Sequence, residues 1–270
     1  MDAALIVLFS LLGAAVGSFL NVCIDRLPAG KSLVRPPSYC DACQRRLAPR
    51  DLIPLFSFLW LRRRCRYCGA ILPWRVFLVE AGTAALFALL YWHYGLTAGF
   101  GLSAFYFSVL IVLLVIDLDH QLILNRIVYP VALVALLLDI LVPQPDMLAM
   151  APAAFLGLPD IAARTVSGIT GGATGFVLLL LPALIFRGGM GFGDVKMAAL
   201  IGLAVGFPRV IGAVLAAIVL GGVVALVMVV FRLRKRKDAI PFGPFLAVAA
   251  MATIVFGNEM LDWYLGLFPR

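Results

Sequence analysis

The chain has 270 residues, of which 63% are hydrophobic and 13% are charged, with a formal net charge of +8. Soluble domains are about 45–50% apolar and about 25% charged, so a water-soluble globule of ordinary composition is excluded. Four of the five cysteines fall in two Cys-x-x-Cys pairs, which favours a metal site over a secreted disulfide scaffold.

A bilayer core needs about 20 apolar helical residues per crossing. The first run, Ala4–Ile24, follows Met1-Asp2 without a basic leader segment and is too long for a cleaved signal peptide, so it is expected to persist as a span. Cys23 at its end has no partner in the cysteine pattern and reads as a small buried apolar residue. Residues 28–75 then change character. Pro28, Pro36, Pro37, Pro49, Pro54 and Pro73 interrupt an Arg-rich stretch that holds Cys40-Asp41-Ala42-Cys43 and, after 21 residues, Cys65-Arg66-Tyr67-Cys68. Two such pairs suit a tetrahedral four-cysteine zinc site, each pair gripping one side of the ion. The separation is slightly longer than usual, which a short hairpin absorbs. An insert of this size has too little core to fold without such a staple.

Beyond it come Val76–Gly95 with Glu80, Ala98–Ile116 running into Asp117-Leu118-Asp119-His120, and Ile127–Pro143 with Asp139. They are followed by Thr165–Phe186, a shorter segment from Asp194 to Phe207, Val210–Phe231 and Ala239–Asn258. The expectation is therefore an all-α polytopic membrane protein with about eight transmembrane helices. Gly13/Gly17, Gly168/Gly172 and Gly171/Gly175 have a spacing that permits close helix packing.

Charge asymmetry orients these spans. Residues 26–75 contain eleven basic side chains and residues 232–237 contain five. With eight spans and an outside N-terminus both blocks face the cytoplasm, as the positive-inside rule requires. The opposite face carries only Arg164, Arg209 and Arg270. Juxtamembrane arginines rest on anionic lipid headgroups, so lipids, and no nucleic acid, are the expected partners of the basic insert.

Acidic residues within or at the ends of membrane helices are costly and mark function by default. Asp117, Asp119 and Asp194 all fall at the cytoplasmic face in this topology. Two carboxylates brought close together share a proton. One then serves as base toward a water while the other, protonated, polarises a carbonyl. Asp194 is equally suited to cap its helix, and Asp117 and Asp119 to face headgroups. His93, beside Trp92 and Tyr94, reads as part of an outer aromatic belt, and His120 as a solvated loop residue. No Gly-x-Ser-x-Gly or His-Glu-x-x-His occurs, so serine and zinc-protease chemistry lack a motif. A cation- or proton-coupled transporter using the same acids is the alternative, and a zinc-stapled scaffold without chemistry a second one.

At this point the chain resembles the type 4 prepilin peptidases, the bifunctional leader peptidase/N-methyltransferases. Gly17-Ser18-Phe19-Leu20-Asn21-Val22 followed by Arg26-Leu27-Pro28 is similar to the family's N-terminal signature. Pro36-Pro37-Ser38, the two cysteine pairs, Ile53-Pro54 and Glu80 resemble its cytoplasmic insert and the helix after it. Gly191-Phe192-Gly193-Asp194 resembles the GxGD motif shared with presenilin-like intramembrane aspartyl proteases, and Asp117-Leu118-Asp119 the first acidic motif. One position departs from the family: Leu124 stands where proline is usual.

The resemblance implies that Asp117 and Asp194 are catalytic, and that prepilins or pseudopilins of type IV pili and type II secretion are substrates. Their basic leader would be cut at the cytoplasmic face of the bacterial inner membrane. It further implies a methyltransferase step that uses S-adenosylmethionine, besides zinc on Cys40, Cys43, Cys65 and Cys68. No Gly-rich nucleotide loop of Rossmann type marks the methyl-donor site, and Glu80 is a candidate to orient the amine. The corresponding division is 1–27 first transmembrane helix, 28–75 zinc-binding insert and 76–270 peptidase core. Because leader and insert are both basic, the substrate's apolar helix is expected to dock laterally among the membrane helices.

Overall fold

The computed structural model describes residues 2–141, 159–185, 191–232 and 240–266. The Gly188–Met190 stretch, most of the second basic block and Arg270 lie outside them. The described residues form α1 (Ala3–Arg26), a short α2 (Phe56–Trp60), α3 (Trp74–Tyr94), α4 (Ala98–His120) and α5 (Asn125–Leu141). They continue as α6 (Asp160–Ile185), α7 (Phe192–Val205), α8 (Arg209–Val230) and α9 (Gly243–Gly266). Among these residues the only β pairings are two isolated bridges in the insert, so the all-α expectation holds.

Six helices, α1, α3, α4, α6, α8 and α9, are long and apolar enough to cross a membrane. The other two expected spans are shorter, α5 with 17 residues and α7 with 14. α7 stops because Gly206 adopts a φ of 74°, a conformation open to glycine, and its N–H closes on the Gly202 carbonyl at 2.9 Å. Along α8, Leu215, Val219, Val223, Leu226 and Val230 are all exposed at helical spacing, an apolar stripe suited to lipid and ill suited to water. Several boundaries differ from the sequence expectation, and α6 starts five residues early, at Asp160 rather than Thr165. α4 runs past Ile116 to His120, and α9 begins at Gly243, where Pro244 fits a first helical turn that needs no N–H from it.

The chain divides into two compact units, residues 1–112 and 113–270, the boundary falling inside α4. In the first, α1 lies directly on α3. A Cβ at Gly13 would sit 2.7 Å from the Thr83 carbonyl oxygen, and one at Gly17 2.8 Å from Glu80 Cα. Only glycine therefore allows this approach. Phe9 stacks on Tyr91 at 4.6 Å between ring centres and meets Phe100 edge-on at 4.7 Å. In the second unit α6 and α7 cross at Gly171 and Gly202, where a side chain on either would collide with the other's backbone. Ser167 and Phe207 exchange two hydrogen bonds, each of 3.1 Å, at the far end of this crossing. The close approach continues to Gly175, where a Cβ would collide with the Ala198 carbonyl oxygen.

Candidate active site

α4 carries Asp117 into the interior of the second unit at its last turn, where the side chain is only 5% exposed. A buried carboxylate needs hydrogen-bond donors. Gly243, at the start of α9, donates its backbone N–H to Asp117 Oδ2 at 3.1 Å. A Cβ at position 243 would lie 2.6 Å from that oxygen, so the approach of α9 to the carboxylate requires glycine. Asp119 and His120 are exposed.

Asp194 is the third residue of α7. The N-cap position belongs to Gly191, and the Asp194 carboxylate accepts the N–H of Gly191 while standing close enough to Asp117 for the two charges to act on each other. Asp194 is therefore not the N-cap of α7, as the sequence allowed, but reaches back to that residue from the third helical position. The preceding Gly193 lies against Ile123, whose Cβ would be 2.9 Å from a Cβ placed there. Lys196 fixes the same turn by donating to Asn125 Oδ1 at 3.0 Å and lying 5.7 Å from the Tyr129 ring centre. Leu124 serves α5 through its carbonyl, which accepts the N–H groups of Ile127 and Val128 at 2.9 and 3.1 Å. Proline would serve equally through that carbonyl, so its replacement leaves these bonds intact.

The second unit thus brings two carboxyl groups near each other, Asp117 buried and Asp194 half-buried. Gly243→Ala is expected to displace the Asp117 carboxylate and lower the melting temperature, which a thermal unfolding curve checks.

The insert brings its four paired cysteines together. Their Sγ atoms all lie within 4.8 Å of one another, and Cys40 Sγ is 3.8 Å from Cys68 Sγ. Zn–S bonds of about 2.3 Å in a tetrahedron place sulfurs about 3.8 Å apart, so the donor set fits zinc. The two knuckles are built alike. Cys40 and Cys65 each receive an N–H on their carbonyl from the residue after the second cysteine, Gln44 at 2.7 Å and Gly69 at 2.9 Å. Both of those residues are left-handed, with φ of 57° and 72°. Backbone N–H groups of Tyr67 and Cys68 bring the Cys65 thiol down to about 7. Cys68, although the Ala70 N–H favours its thiolate, is pushed up to about 12 by desolvation and the adjoining thiols. Cys23 is separate and buried in α1.

Asp51 joins the knuckles to the residues between them. Its carboxylate accepts from Arg66 Nε at 2.6 Å, Tyr67 OH at 3.0 Å and Ala48 N–H at 3.2 Å, while Arg45 lies 4.4 Å from the Tyr67 ring centre. Desolvation opposes ionisation of Asp51, but the bonds from Arg66, Tyr67 and Ala48 hold its carboxyl below the ordinary value. A depressed carboxyl contributes stability above its unfolded pKa, about 3.9, and loses it as pH falls through the folded value. Asp51→Asn is therefore expected to lower the melting temperature at pH 7, with the difference from the wild type closing in acid. The effect is modest because Arg66 is 32% exposed and solvent screens the pair.

Glu80 is buried in α3 and accepts the Leu55 N–H at 2.8 Å, which ties the insert to the membrane helix. Asp139 is fully buried against Gly168 of α6, with the Arg164 charge acting on it. Sequence reasoning missed Gly243 and Asp51. The Gly243-Pro244 pair was a turn signal inside an apolar run.

Fold and site together define a polytopic helical membrane protein with an acidic pair and a four-thiol centre. The model of the bacterial peptidase A24 N-terminal domain matches residues 11–94, and that of the type IV leader peptidase family matches residues 104–226. The chain is 28% identical over 261 residues to a prepilin leader peptidase/N-methyltransferase of Bacillus subtilis, covering 94% of this chain and 95% of the relative. Proteins of the same name from Pseudomonas aeruginosa and Aeromonas salmonicida are 30% and 31% identical over 94% and 97% of this chain, and 91% and 93% of their own lengths. The chain belongs to the type IV leader peptidase family. No solved structure matches it.

Proposed function

We propose that this protein cleaves the basic leader of type IV prepilins or pseudopilins with Asp117 and Asp194 as its catalytic pair, and then methylates the new N-terminus. Family membership over nearly the whole chain carries the reaction. The observation that carries the residue assignment is the pairing of Asp117, held by Gly243, with Asp194 at the first turn of α7. Among rival uses of the same acids, a transporter has no support from the relatives.

In the cleavage step the charged carboxylate takes a proton from a water, whose oxygen attacks the scissile carbonyl carbon. The protonated partner gives its proton to the carbonyl oxygen. Collapse of the tetrahedral intermediate breaks the C–N bond, and the proton held by the base passes to the departing amine. The buried setting of Asp117 strengthens these interactions by excluding water. S-adenosylmethionine supplies the methyl group for that amine.

The four cysteines hold structural zinc, which staples residues 28–75 and gives that insert a fixed shape for the methylation step, while residues 76–270 carry out cleavage. The eleven basic residues between 26 and 75 support an insert lying against anionic headgroups on the cytoplasmic side, with the N-terminus outside. Incubating purified protein with a model prepilin, with and without S-adenosylmethionine, and weighing the products tests both reactions. The expected products are a released leader and a mature chain heavier by one methyl group only when the donor is present. Intact substrate, or ion flux in liposomes without cleavage, would overturn the reading.

A further inference from the structure

The function above uses the acids and the thiols, and leaves unexplained an Arg-Arg-Arg turn beside the start of α3. Arg62 and Arg63 are both left-handed, with φ of 49° and 61°, a conformation that non-glycine residues avoid. Two such residues in succession persist only where their surroundings hold them. Here Arg62 N–H bonds to the Leu59 carbonyl at 3.0 Å and Arg63 N–H to that of Phe58 at 2.8 Å, while Leu72 N–H closes on the Arg63 carbonyl at 2.9 Å. The result is a cavity of about 370 Å³ lined by Phe58, Leu59, Arg62, Arg63, Arg64 and Trp74 among others.

Its walls combine two chemistries. Three arginines among the lining residues supply positive charge, the Arg63 guanidinium lying 5.3 Å from the Trp74 ring centre. Leu59 and Trp74 meanwhile expose 62% and 56% of their surface, and neighbouring Trp60 exposes 70%. Trp74 is also the first residue of a helix long and apolar enough to cross the membrane, so the cavity sits at the end of a candidate span, and tryptophan is enriched where hydrocarbon meets headgroup. Guanidinium forks match phosphate oxygens bidentately, and the exposed apolar side chains suit an acyl chain. The methyl donor fits poorly, because its sulfonium cation would meet three arginines.

We propose that this cavity is a binding site for one anionic phospholipid, its phosphate on Arg62–Arg64 and its upper acyl chain along Leu59 and Trp74. The proposal rests on the reading that the insert lies at the membrane surface, and it adds a defined lipid to that general contact. The arginine turn would then be held in its left-handed form as a preformed headgroup clamp.

Native mass spectrometry of the full, zinc-loaded protein in detergent, titrated with phosphatidylglycerol or phosphatidylcholine, tests it. The wild type is expected to retain one phosphatidylglycerol and to release phosphatidylcholine. Arg62→Gly combined with Arg63→Gly removes both guanidiniums and relieves the left-handed strain, so it is expected to stay folded yet lose retention by roughly tenfold or more. Arg62→Gln with Arg63→Gln, which keeps side chains on this turn, must show the same loss. Arg35→Gln with Arg46→Gln, an equal change of charge at exposed positions outside the cavity, must retain the lipid. Equal loss in all three double variants, equal retention of both lipids, or displacement of the lipid by millimolar inorganic phosphate or by S-adenosylmethionine would overturn the site. The detergent measurement does not depend on membrane sidedness or on cleavage, so its failure would leave the peptidase reading standing.

Discussion

Asp117→Asn and Asp194→Asn are each expected to lower prepilin cleavage by about 10²–10⁴-fold, the range supplied by a positioned acid or base. Asparagine nearly preserves the shape of aspartate, and at position 117 it keeps an oxygen able to accept the Gly243 N–H now 3.1 Å away. Helix content and melting temperature should therefore change little, which ties the loss to proton chemistry. Because both carboxylates serve one proton-sharing unit, the double variant should be scarcely worse than either single one. Asp119→Asn provides the comparison within the same acidic motif. Asp119 is exposed where Asp117 is buried, so its effect should remain within severalfold. The assay is a timed mass measurement of the released leader at fixed enzyme concentration.

Cys40→Ser with Cys68→Ser is expected to abolish zinc binding, because those two sulfurs lie 3.8 Å apart, one from each knuckle. Structural zinc contributes an apparent ~10–16 kcal/mol in small metal-folded domains, more than an insert with two isolated bridges and two short helical turns can replace. The insert should lose its fold and the protein its methyltransferase activity. Cleavage should survive in larger part, since Asp117 and Asp194 belong to the other compact unit. Elemental analysis gives the zinc content, and the mass of the mature product gives methylation. A metal-free variant that still folds its insert and methylates would contradict the structural role of the ion.

The parts of the site that were legible in the sequence are those whose chemistry is written in residue type and spacing. Each Cys-x-x-Cys pair grips one side of a metal, and a carboxylate next to an apolar helix is costly enough to stand out. Partners supplied by the backbone were not legible. Gly243 reaches Asp117 across 126 positions of sequence, and nothing in residue type says where a main-chain N–H will point. The left-handed turns at Gln44, Arg62 and Arg63 were hidden for a related reason. Glycine at position 69 signals such a turn, whereas glutamine and arginine adopt it only under tertiary constraint. Span limits were blurred where apolar and polar residues overlap. The α4 backbone continues through Asp117 because intrahelical bonds persist after hydropathy has fallen, whereas α7 ends at Val205, close to its expected limit, where Gly206 turns the chain.

The central claim is that carboxyl groups from α4 and α7 meet at one site, and intramolecular cross-linking tests it most directly. The Asp117→Cys, Asp194→Cys protein, with Cys23 replaced by alanine and the four insert cysteines loaded with zinc, is treated with a short bifunctional thiol reagent. After digestion, mass spectrometry should find the peptide holding position 117 joined to the one holding position 194 in most molecules. Separate, singly modified thiols at the two positions, with no joined peptide in folded protein, would contradict the account.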